Sequence, residues 1–205
     1  MSYIDHNPRV AWAEAFESGI RTQACADLAE AGAKVQTSGA KSGGCYNDHY
    51  QPIYAVITRM ERDTPALAAV GHWLCLADTG AANQYLDDVA DTILTRFILA
   101  TSEWSSYRKA RRERIEALIQ ARMMQDRNDM DGSRTPWEPK EACFYVREFL
   151  GVKIVSDNWR RDGWDQVWST LGRILADLED EAMQPVADAA REANKALRDE
   201  MRQAA

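Results

Sequence analysis

An all-α fold, a helical bundle with a small helical C-terminal module, is what this sequence predicts. Three observations carry the expectation. Apolar residues recur at intervals of three and four along most of the chain, helix start and stop signals punctuate them, and alternating strand patterns barely occur.

Asn7-Pro8 opens the first helix, because proline lacks the N–H that a helix start leaves unused. Val10, Ala13, Phe16 and Ile20 follow at helical spacing, with the run extending towards Leu28 past Gly19. Residues 32–48 lose periodicity and gather Gly and Ser, which reads as a loop. Pro52 starts a helix carrying Ile53, Val56, Ile57 and Met60, and Asp63-Thr64-Pro65 starts another with Leu67, Val70, Leu74 and Cys75. After Asp78-Thr79-Gly80 a third places Tyr85, Val89, Ile93, Leu94, Phe97 and Ile98 on one stripe. A fourth, capped near Ser105, runs to Arg127 with Ile115, Leu118, Ile119 and Met123 inward.

Residues 128–139 (NDMDGSRTPWEP) concentrate turn formers and hold two prolines. They place an N-terminal bundle at residues 1–128, a linker at 129–139 and a C-terminal module at 140–205 with a protruding last helix. Within that module residues 141–150 read as a helix stopped by Gly151, and residues 152–155 are the one candidate for a short strand. A helix from Asn158 or Asp162 carries Trp164, Trp168, Leu171, Leu175 and Leu178, with the two tryptophans expected to pack together. Pro185 interrupts or restarts it before an Ala-rich end.

Of the 205 residues 45% are hydrophobic and 28% charged, a globular composition. The apolar stretches fall short of the roughly 20 residues a membrane span needs. The N-terminal MSYIDHNPRV has no basic-then-apolar leader, so a cytoplasmic protein without membrane contact is expected. Cys25, Cys45, Cys75 and Cys143 lack the spacing of a secreted disulfide framework. A net charge of −7 disfavours non-specific coating of nucleic acid but leaves room for a local basic surface.

Two such surfaces stand out. Residues 145–168 (YVREFLGVKIVSDNWRRDGWDQVW) fit a helix with Val146, Phe149 and Leu150 inward, a Gly turn and a second helix capped at Ser156 or Asp157, as a helix-turn-helix requires. That second helix would display Asn158, Arg160 and Arg161, side chains suited to base edges and phosphates. An ordinary helical hairpin with a Gly stop fits the same residues, and Asp162-Gly163 would end a recognition helix early. Residues 107–114 (YRKARRER) align Arg108 with Arg111 and Lys109 with Arg112, as phosphate contacts need, though a solvated face is the more ordinary reading of such a run. Trp104 and Tyr107 flank the run with flat surfaces.

No cofactor or metal is expected. Cys45-x3-His49 and His72-x2-Cys75 are the nearest approach to a zinc set. Neither pair has the Cys-x2-Cys form, and Cys75 in an apolar helix behaves as a small hydrophobe. Catalysis is not expected either: residues 39–44 (GAKSGG) lack the Gly before Lys of a phosphate loop. No Ser, His and Asp match a nucleophile elbow, and Asp87-Asp88 and residues 179–181 point different ways on a helix.

The segment FLGVKIVSDNWRRDG resembles the small helix-turn-helix of excisionase-like and MerR-like regulators, whose turn often reads Leu-Gly-Val. Residues 49–79 (HYQPIYAVITRMERDTPALAAVGHWLCLADT) resemble small tailed-bacteriophage proteins of the late-gene antiterminator (Q-type) kind. That resemblance implies a transcription regulator that binds promoter-proximal DNA and then host RNA polymerase. The competing expectation is a helical protein–protein interaction factor that redirects a host protein without touching nucleic acid. Its Ala-rich C-terminal helix would then dock the partner or form a homodimer. An exposed apolar or acidic groove favours the second, and a contiguous basic face joining the two arginine groups favours the first.

Overall fold

A computed structural model of the chain describes residues 3–17, 48–77, 79–127 and 136–203. Among them are eight α-helices and no strand: α1 (Pro8–Glu17), α2 (Gln51–Asp63), α3 (Pro65–Cys75), α4 (Thr79–Asn83), α5 (Leu86–Ala100), α6 (Lys109–Asp126), α7 (Pro139–Leu150) and α8 (Trp164–Gln203). The fold is all-α, as the periodicity requires. The expected continuation of α1 to Leu28 and the loop at residues 32–47 lie outside the described residues.

The chain divides into two compact units, one of Met1–Thr64 with Met183–Ala205 and the other of Pro65–Ala182. This differs from a boundary at residues 129–139. Residues 128–135 lie outside the described residues, but α6 and α7 on either side of them pack together in one unit. The Trp137 N–H, just before α7, also donates to Gln125 Oε1 of α6 at 3.2 Å.

In the first unit α1 buries Ala11, Trp12 and Ala15, and α2 buries Ile53, Ile57 and Met60, each set one helical face. Asn7 caps α1, its Oδ1 accepting the Arg9 N–H at 3.0 Å. Val186, Ala190 and Asn194 of α8 are buried in this unit, so the last helix does not protrude. Asn194 makes a reciprocal pair with the backbone of Ile4: the Ile4 N–H donates to Oδ1 and Nδ2 donates to the Ile4 carbonyl, both at 2.9 Å. The helix also runs through Pro185 without stopping. Its inward stripe of Leu171, Leu175, Leu178, Ala182, Val186 and Ala190 continues across the proline, and burial of that stripe outweighs one missing backbone bond.

In the second unit α3 is buried on every side from Ala68 to Cys75, as a helix apolar all round must be. It packs on α5, α5 on α6, and α6 on α7. The helix expected after Thr79 is broken in two, because Tyr85 ends a turn closed by Tyr85 N–H to the Ala82 carbonyl and α5 then restarts at Leu86. α7 begins with Glu138 and Glu141 in a reciprocal capping box and ends at Gly151 with φ +67°, a left-handed position suited to glycine. Residues 152–155 are extended but pair with no strand among the described residues.

Candidate functional site

The arginine-rich start of α6 lies at a helix N-terminus, where the dipole disfavours cations and no acidic residue sits in the first turn. Aromatic faces and carbonyls hold it there instead. The Arg111 guanidinium lies over Tyr107 at 4.9 Å and over Trp164 at 4.7 Å, and its Nη1 donates to the Asp162 carbonyl at 3.0 Å. Arg112 lies over Trp104 at 5.4 Å and donates from Nη2 to the carbonyls of Trp104 and Ser105. These two arginines therefore fasten α6 to its neighbours. Arg108 and Lys109 stay exposed, Lys109 reaching Glu113 at 3.8 Å. Trp104 and Tyr107, expected as stacking surfaces, pack edge-on against each other at 6.1 Å.

The expected recognition helix is not formed. After Gly151 the chain makes a 3-10 turn at Ser156–Asn158, then a single further turn that Gly163 closes with φ +75°. Trp164 N–H bonds to the Trp159 carbonyl and Gly163 N–H to that of Arg160, the two bonds of a Schellman stop. Trp159 is only 6% exposed and its ring meets Trp168 edge-on at 6.1 Å, so one side of the turn is fixed in the core. Asn158 is half-buried, and Arg160 and Arg161 are exposed on a turn with no protruding helix to present them. Arg161 pairs with its neighbour Asp162 at 3.2 Å. Trp164 and Trp168 take other partners than each other: Trp164 lies under Arg111, and Trp168 meets Trp159 and Arg122.

Of the four zinc candidates, Cys45 lies outside the described residues. His49 sits in the 3-10 turn before α2 beside the Tyr50 ring, in the first unit. His72 and Cys75 are buried in α3, in the second unit, and His72 stacks on Tyr85 with ring centroids 4.6 Å apart. Among the described residues no three His, Cys, Asp or Glu side chains are placed to hold a metal ion.

The second unit also exposes an apolar face. On α7 and the extended segment after it Phe149 is 69% exposed, Phe144 55% and Val155 44%. Phe149 stacks against Tyr145 at 4.8 Å, and Tyr145 against Trp137 at 5.4 Å, forming an aromatic row along one side of the helix. On the other side Lys140, Phe144 and Arg147 with Lys153, Ile154 and Val155 line a groove of about 350 Å³. Cys143 forms part of its wall, and burial pushes the thiol pKa up. No family model, no curated protein and no solved structure matches this chain.

Spacing places Val146, Phe149 and Leu150 on the inward face of α7, but the structure buries Ala142, Cys143 and Val146 and leaves Phe149 exposed. The groove beside Phe144 is a second feature, which the sequence reading passed over. Its signal was present: Lys140, Phe144 and Arg147 fall at i, i+4 and i+7, a stripe distinct from the inward Ala142, Cys143 and Val146. Phe144 and Phe149, in a helix already supplied with an inward face, are two large apolar residues more than its packing needs.

Proposed function

We propose that this chain is a helical protein–protein interaction factor, and that α7 with residues 152–156 is its contact surface. The observation that carries the reading is the exposure of Phe144 and Val155 at the groove, together with that of Phe149 on the other side of α7. Aromatic side chains dominate interface energetics, and keeping two of them in water is unfavourable unless a partner covers them. Transcription regulation is the second reading. It draws on the antiterminator resemblance and on the Arg111 bond to Asp162, which brings the Arg160–Arg161 turn alongside the end of α6 that carries Arg108 and Lys109. Against it, residues 156–165 hold three aspartates beside two arginines, so carboxylates dilute that basic patch.

A pull-down from bacterial lysate, with and without nuclease, separates the two. A protein retained under nuclease and lost on Phe144→Ala with Phe149→Ala supports the interaction factor. Capture that nuclease abolishes, unchanged by those substitutions but lost on Arg108→Ala with Arg160→Ala, supports the regulator.

A further inference from the structure

Three cations and no carboxylate line the groove on α7, in a chain carrying 32 acidic and 25 basic residues. Such a local reversal of charge is a statement about what the groove meets. Lys140 and Lys153 have no ion-pair partner among the described residues, whereas Arg147 shares its charge with Glu148 at 2.9 Å and leans over the Phe144 ring at 5.8 Å. Phe144, Ile154 and Val155 supply the apolar part of the lining, beside Cys143 and Ser156. The groove is too small to hold a whole helix and large enough to take the anchoring side chains of one.

We infer that the groove binds an acidic, amphipathic peptide segment of another protein, its apolar anchors lying on Phe144, Ile154 and Val155 and its carboxylates reaching Lys140, Arg147 and Lys153. The inference rests on the interaction reading above and names the chemistry of the partner. Apolar contact supplies the affinity of such a site, while the charged rim selects against basic segments and speeds encounter. A nucleic acid strand fits less well. Its repeating phosphates need a longer track of cations than the three residues at this groove supply.

The test is a selection of random 16-residue displayed peptides on the full-length protein, followed by fluorescence anisotropy with a synthetic copy of the most enriched sequence. Enrichment of peptides that combine Asp or Glu with spaced apolar residues is expected. Binding of the synthetic copy should weaken by about tenfold or more on Lys140→Glu with Lys153→Glu, should weaken on Phe144→Ala, and should be retained on Lys140→Arg with Lys153→Arg. All three positions lie at the surface of the groove, and an unchanged far-ultraviolet circular dichroism spectrum certifies each variant as folded. Enrichment of basic or uncharged peptides, or indifference to the charge reversal, overturns the inference. So does displacement of the bound peptide by a thymidine oligonucleotide of matched charge, which reassigns the groove to nucleic acid. An empty selection also sinks it. In that event the broader interaction reading is judged separately, by whether Phe149→Ala, outside the groove, still abolishes capture from lysate.

Discussion

Placing a methyl group at Gly172 sets two effects of similar size against each other. Gly172 lies inside α8, and an ideal Cβ built on it falls 2.8 Å from Arg122 Cζ and 2.9 Å from Nη2, so the guanidinium must move. That guanidinium is held in two ways. It lies over Trp168 at 5.3 Å, and its Nε donates to Asp126 Oδ2 at 3.0 Å with both side chains about four-fifths buried. Losing the ring contact costs about 1 kcal/mol, and losing the charged hydrogen bond costs about another 1 kcal/mol in so partly screened a site. Replacing glycine by alanine in a helix interior returns about 1 kcal/mol of propensity. Gly172→Ala should therefore destabilise the protein by about 1 kcal/mol. In an Arg122→Ala background the methyl enters vacated space and the same substitution should stabilise by about 1 kcal/mol. The double-mutant cycle then yields a coupling of about 2 kcal/mol, read from urea midpoints followed by far-ultraviolet circular dichroism. Additivity to within about 0.5 kcal/mol would refute the reasoning, because it would mean that Arg122 swings aside freely and fastens nothing.

The Arg96–Glu181 pair, two hydrogen bonds at 2.8 and 2.7 Å, holds the Glu181 carboxyl below its usual pKa. A lowered folded pKa gives stability that is present above the unfolded carboxylate value and is lost as pH falls through the folded one. Both side chains are about two-fifths exposed, so Glu181→Gln should cost under about 1 kcal/mol at neutral pH and low salt. That difference should shrink in urea titrations as pH falls below the ordinary carboxylate range, and in molar salt. Asn194→Leu leaves the buried N–H and carbonyl of Ile4 without their partner and should cost about 2–4 kcal/mol; a thermal midpoint within a degree of wild type would contradict this. Gly151→Ala meets no atom within 4 Å, so only its left-handed backbone resists, and a loss of about 1–2 kcal/mol in urea unfolding is expected, with Gly151→Asn losing less.

Where local chemistry decides the structure, the sequence shows it. Asn7-Pro8 reads as a cap and is one, and Gly151 reads as a stop because few other residues take φ +67° at low cost. The inward faces of α2 and α6 follow from spacing alone. Tertiary partners were not legible. YRKARRER looks like a surface for phosphates, and nothing local reveals that Trp104, Tyr107 and Trp164 take two of its guanidinium groups. The stretch from Ser156 to Gly163 looks like a helix start, and it stops after one turn because Gly163 completes a Schellman closure while Trp159 enters the core. Pro185 misled for the opposite reason: a strong local breaker yielded to a long stripe of burial. The candidate groove needed residues 153–155 brought against α7, which no periodicity within either segment states.

The Ile4–Asn194 pair spans 190 positions, and α1 and α2 share their unit with the last turns of α8. During synthesis, then, α1 and α2 lack one partner of their unit until residues 183–194 have been made. The stretch from Pro65 to Ala182 is contiguous and can close on itself earlier. Val186, Ala190 and Asn194, the residues of α8 buried in the first unit, join it only after that interval, at the several residues per second of translation. The backbone groups of Ile4 therefore meet their side-chain partner only when residue 194 arrives, after the contiguous stretch can have closed.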